Sequence, residues 1–108
     1  MKTRPLASLE LHDGIIYRMA IDYGRGTATI ALSYYPDQTI RKRRRVLLTF
    51  EGVESISQVT NFQTLKVNAA AGNISYWEPS SKRGVTYLHL AGGTISITAK
   101  SLKVWPSK

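Results

Sequence analysis

Apolar and polar residues alternate along most of this chain with a period of two, the spacing of a strand that buries one face. From Ile15 to Tyr23, the residues Ile15, Tyr17, Met19, Ile21 and Tyr23 fall on one side, and Ile16, Arg18, Ala20 and Asp22 on the other. The first set is the expected buried face. Gly24-Arg25-Gly26 then reverses the chain into Thr27 to Tyr35, where Ala28, Ile30, Leu32 and Tyr34 alternate with Thr27, Thr29, Ala31 and Ser33. Two alternating runs across a glycine-rich turn predict a hairpin. Ahead of it, Leu6 to His12 alternates more loosely and reads as a short first strand, ended by the turn pair Asp13-Gly14.

A proline turn at Tyr35-Pro36-Asp37-Gln38 leads into Thr39 to Phe50, a strand whose first half is basic and whose second half is apolar on both faces. Glu51-Gly52 is expected to close it, with Val53 to Val59 adding a short edge strand. Helical character is confined to residues 61–71, where Phe62, Leu65 and Ala69 share one stripe, Thr60 or Asn61 can cap the start and Gly72 can end it. Three further strands follow, Asn73 to Pro79, Val85 to Leu90 and Thr94 to Trp105, the last two paired across Gly92-Gly93. The expected fold is therefore mainly β. It is one domain over residues 1–108, an antiparallel sheet or sandwich of seven to eight strands, with one short α-helix at about 61–71 covering an open face.

Composition narrows the chemistry. Apolar residues make up 43% of the 108, with two Trp and six Tyr, enough for a packed core. The absence of cysteine removes disulfides, thiolate nucleophiles and sulfur-built zinc sites. Neither a signal peptide nor a run of ~20 apolar residues is seen, so a cytoplasmic protein without a membrane partner is expected. Net charge is +8, and five of those charges sit together at Arg41-Lys42-Arg43-Arg44-Arg45. The basicity is a local feature.

That run is the strongest chemical signal, and it has two readings. One is a solvated strand end that protects a sheet edge from pairing. The other is a phosphate-contacting patch that supplies sequence-independent affinity for nucleic acid. Extended geometry would split the five side chains three against two. At least four should lie in solvent, because unpaired guanidinium groups are costly to bury and the chain has only seven acidic residues.

Other candidates are weaker. His12 and Asp13 invite a metal or acid–base role, yet neighbours on a strand point to opposite sides; His89, between Leu88 and Leu90, reads as a packed residue. No nucleophile elbow, paired carboxylates or metal-ligand triad accompanies them, so no catalytic residue, metal or cofactor is assigned. Tyr76 and Trp77, with Tyr87 and Trp105, could form a platform for a sugar or base, though such aromatics more often pack a core.

Leu11-His12-Asp13-Gly14 ahead of Ile15 to Asp22, and Thr49-Phe50-Glu51-Gly52-Val53 later, resemble segments of small bacterial domains grouped with immunity proteins of polymorphic toxin systems. Ala71-Gly72-Asn73-Ile74-Ser75-Tyr76-Trp77 and Thr86 through Val104 read like the rest of that pattern. The resemblance implies a non-enzymatic module that binds a protein partner. The expected function is that module. A polyanion- or nucleic-acid-binding protein acting through Arg41 to Arg45 is the alternative, and a hydrolytic or metal enzyme using His12, Asp13 and His89 is third. Self-association through an edge strand is compatible with either of the first two.

Overall fold

The computed structural model describes residues 9–37, 39–61 and 73–107. Six strands are present: β1 (Ile15–Asp22), β2 (Thr27–Tyr34), β3 (Arg44–Thr60), β4 (Ile74–Glu78), β5 (Gly84–Leu90) and β6 (Gly93–Ser107). They form one sheet in the order β1-β2-β3-β6-β5-β4, with every neighbouring pair antiparallel. The order is that of two three-stranded meanders joined through their third strands. Those strands are long, 17 and 15 residues, because each must serve two neighbours. The first half of β3 pairs with β2 and the first half of β6 with β5, while β3 and β6 pair with each other from Arg45↔Ser107 to Thr60↔Gly93.

The sheet curls until its outer strands meet. The Asp13 amide donates to the Ile74 carbonyl at 2.9 Å and the Ile74 amide donates to the Gly14 carbonyl at 2.7 Å, beside a bridge between Ile15 and Asn73. Curvature of this kind needs local breaks in the ladder. One lies in β3, where Gly52 adopts a φ of 62° and the register then shifts between Val53 and Ser55. The concave side holds the core: Leu32, Leu48, Leu88, Ile97 and Val104 are fully out of solvent. Each such burial is worth about 1.5–3 kcal/mol. All of Ala28, Ile30, Leu32 and Tyr34 are buried, as their alternation predicts.

Three expectations are corrected. The regular face of β1 is broken by a bulge: Ile16 pairs with Leu32 and Arg18 with Ala31, so Tyr17 is an extra residue and the period slips by one. Ile16 and Met19 pack against the core, whereas Tyr17 and Tyr23 stand in solvent. Residues 9–12 of the expected first strand are irregular instead. The Leu11 carbonyl accepts from the Gly14 amide at 2.8 Å and the Leu9 carbonyl from the Trp77 indole at 3.1 Å, so this backbone has partners outside a ladder while Leu9 and Leu11 are buried.

Finally, the two expected strands Thr39 to Phe50 and Val53 to Val59 are one, starting at Arg44. Asp37 holds residues 39–43 out of the sheet: its carboxylate accepts from the Thr39 amide at 2.9 Å and from the Thr39 hydroxyl at 2.6 Å. The strand does not end at Glu51-Gly52, because β6 continues alongside and the left-handed glycine absorbs the bend. Among the described residues six strands result rather than seven to eight. The expected helix at 61–71, with the Phe62 stripe, falls beyond Asn61 outside the described residues, as do residues 6–8. Among the described residues, no helix is long and apolar enough to cross a membrane.

Candidate functional site

The loop at 39–43 changes what the basic run can do. A straight strand would send its side chains alternately to opposite faces, but only Arg44 and Arg45 lie in β3. The loop brings Arg41 and Arg43 to one aromatic ring, with their guanidinium carbons 5.3 and 4.3 Å from the centroid of Tyr35. Arg45 lies 5.0 Å from the centroid of Tyr17, the residue that the β1 bulge turns outward. Ser33 sits between them, since its β2 position pairs with Ile15 on one side and Arg45 on the other.

Arg43 is the anchor of the group. Its Nη1 donates to the Asp13 carbonyl at 3.0 Å and to the Ser33 hydroxyl at 3.3 Å, and it is half-buried. Arg41, Lys42, Arg44 and Arg45 are exposed, so four of the five lie in solvent as expected. The described ion pairs, His12–Asp13, Arg25–Asp22, Arg83–Glu54, His89–Glu78 and Lys103–Glu51, involve none of them. Cation–π contacts at exposed sites are worth about 0.5–1 kcal/mol each, enough to bias rotamers without neutralising charge. The hydrogen bond from Ser33 is the main cause that lowers the pKa of the Tyr17 phenol below its ordinary value; burial opposes it, and the charge and hydrogen bond of Arg45 and the charge of Arg43 add smaller lowering effects. A groove of about 510 Å³ runs beside the cluster, lined by Tyr17, Arg18, Ala31, Leu32, Arg45 and Val46. The arrangement is a cationic, aromatic surface built from the 39–43 loop, Tyr35 and the neighbouring strands β1 and β3, with the chemistry to contact anionic groups.

The remaining sequence candidates are dispersed. His12 and Asp13 do not project to opposite sides of a strand. Asp13 takes a left-handed φ of 64° in a turn, which sets its carboxylate 3.6 Å from His12 Nε2, while Nδ1 donates to the Ser75 carbonyl at 2.8 Å. The His12 side chain is exposed and that of Asp13 half-buried. His89 belongs to a different group on the outer side of β4 and β5. It stacks on Tyr76 at 4.2 Å and on Tyr87 at 6.0 Å, and its Nε2 lies 3.7 Å from the Glu78 carboxylate without a hydrogen bond. Among the described residues no three His, Asp or Glu are placed to hold a metal ion.

Tyr76 and Trp77 part company: Tyr76 is half exposed, and Trp77 is buried with its indole committed to Leu9. Trp105 lies elsewhere again, paired with Leu47 at the far end of β6. The four aromatics do not make one platform. Sequence reasoning missed Tyr17, Ser33 and Tyr35, whose role depends on a bulge and a loop that residue alternation does not announce. No protein-family model, curated protein or solved structure matches this chain.

Proposed function

We propose that this protein is a non-enzymatic binding module that takes a nucleic acid or other polyanion on the outer side of β1–β3, through Arg41, Arg43 and Arg45. The observation that carries this reading is their convergence on two tyrosines with no carboxylate partner among the described residues. Charges held apart by packing lose less side-chain entropy on binding than free ones. Replacing Arg41, Arg43 and Arg45 together with Gln should flatten the slope of log K against log salt by about 2–3 for duplex DNA. The variant should remain folded by circular dichroism. Loss of the Arg43 hydrogen bonds should lower stability by about 1–2 kcal/mol. A parent protein that shows no salt-dependent binding to duplex DNA or heparin near physiological ionic strength would sink the reading.

A second reading, a protein partner of the immunity type, draws on the edge of β3. Pairing with β2 ends at Ala28↔Phe50, where the Val53 amide donates to the Gly26 carbonyl at 2.9 Å. Beyond that point, among the described residues, Glu54 to Thr60 pairs with β6 alone, and Val59 is 69% exposed. A one-sided strand is a template for another strand, from a partner or a second copy. Light scattering across a concentration series tests self-association. A dimer that Val59→Lys converts to monomer supports pairing at this edge, and a parent that is monomeric throughout excludes the second copy.

A further inference from the structure

We infer that the polyanion taken on the β1–β3 face is single-stranded nucleic acid, whose bases stack on Tyr17 and Trp105 while the arginines hold its phosphates. The inference rests on the polyanion reading above and narrows it. Arginines alone would not distinguish a single strand from a duplex or from heparin, because phosphate and sulfate contacts carry no such information. What lies beside the arginines does.

The register places Arg18, Ala31, Leu47 and Trp105 side by side across β1, β2, β3 and β6. Flanking residues fix which way this row faces. Leu32, Val46, Leu48 and Val104 are buried in the core, so Ala31, Leu47 and Trp105 between them face outward. Each of the three is half-buried, and among the described residues no further strand packs over them. Tyr17, displaced outward by its bulge and 53% exposed, ends the row near Arg45. Small Ala31 and flat Leu47 leave a shallow apolar strip with an aromatic ring at each end. Four adjacent strands span about 14 Å, which accommodates a few nucleotides lying across them.

Such a surface suits unpaired bases. A stacking platform bordered by cations is how single strands are held without sequence preference. A duplex hides its base faces and is entered by a helix or a ribbon that fits a groove. Among the described residues the outer side of this sheet offers neither at the basic cluster. A sulfated polysaccharide has no flat π-face to reward Tyr17 and Trp105. Tyr35 is engaged by Arg41 and Arg43 and acts through them, as the support for their guanidinium planes.

The two tryptophans provide the readout. Trp77 is buried with its indole bonded to Leu9, whereas Trp105 lies on the proposed platform, so quenching by a stacked base reports Trp105. The full chain is titrated at one salt concentration with a short deoxythymidine oligomer, with the same length of duplex, and with a heparin fragment. The single strand is expected to quench tryptophan emission saturably and to bind at least about ten-fold tighter than the duplex, in line with the contribution of base–aromatic stacking. Tyr17→Ala and Trp105→Leu should each weaken single-strand binding by about 5- to 100-fold, and Trp105→Leu, which touches none of the arginines' aromatic partners, should leave duplex and heparin binding unchanged. Tyr17→Phe should retain the parent affinity, which separates stacking from any role of the phenol. Equal binding of single strand, duplex and heparin, without quenching and without an effect of Tyr17→Ala, would overturn the inference and leave the polyanion reading intact. If the Arg41, Arg43 and Arg45 to Gln variant bound all three as tightly as the parent, the polyanion reading itself would fall.

Discussion

Replacing Phe50 with Ala is expected to cost about 3–5 kcal/mol, the usual range for truncating a fully buried aromatic residue. Phe50 is 1% exposed, and its neighbours across the ladder are Ala28 on β2 and Leu102 on β6. It occupies the last position where three strands run side by side, two residues before Gly52 bends β3. Ala28 is too small to move into the vacated volume, and Leu102 is tied by the longest ladder in the sheet. The cavity should therefore persist, which places the cost in the upper half of the range. Against a total of about 5–15 kcal/mol for a domain of this size, the variant should be only marginally folded at 25 °C. Its melting temperature should fall by roughly 12 °C or more. Urea denaturation checks the figure, and a loss under about 1 kcal/mol would mean that Phe50 is not at the hub of the core.

Much of the fold was legible because its central strands obey the period of two. Ala28, Ile30, Leu32 and Tyr34, and the hairpin across Gly92-Gly93, needed no tertiary information. The errors arose where one residue of slip reverses every side chain that follows. At Tyr17 a single bulge moved an apolar residue out of the expected core face and made it part of a surface cluster. At Glu51-Gly52 a glycine that resembles a strand end is a bend, because the partner that keeps the strand going lies about fifty residues away in sequence. The candidate site was half legible. A run of five cations is visible in any reading, but the convergence of Arg41, Arg43 and Arg45 depends on the Asp37–Thr39 turn, and their aromatic partners come from β1 and the end of β2. Local sequence does not encode which strands will be neighbours.

The long-range contact at the other end of β3 gives the second large effect. Gly93 starts β6 opposite Thr60, and the adjacent Gly92 carbonyl accepts from the Asn61 amide at 2.6 Å. A Cβ at position 93 would run into the Val59 carbonyl oxygen, with the Val59 carbonyl carbon at 2.7 Å and the Thr60 Cα at 3.1 Å. All three are backbone atoms, so no side chain can swing aside. Gly93→Ala must instead push the end of β3 away from the β5–β6 turn and break the terminal rungs of the β3–β6 ladder. We expect a loss of about 3 kcal/mol, the upper part of the range for overpacking. Gly52→Ala makes the informative comparison. There the colliding atoms belong to the Lys100 side chain: its Cδ at 2.7 Å and Cγ at 2.8 Å can rotate into solvent, and what remains is a slight shift away from its Cβ at 2.9 Å together with the left-handed φ of 62°. That residual should cost only about 1–2 kcal/mol. Chemical denaturation ranks the two variants, and hydrogen exchange at the Val59, Thr60 and Asn61 amides localises the damage. Gly93→Ala should accelerate exchange at those amides well beyond Gly52→Ala. A Gly93 variant as stable as the Gly52 variant, with those amides still protected, would show that β3 and the β5–β6 turn do not approach this closely.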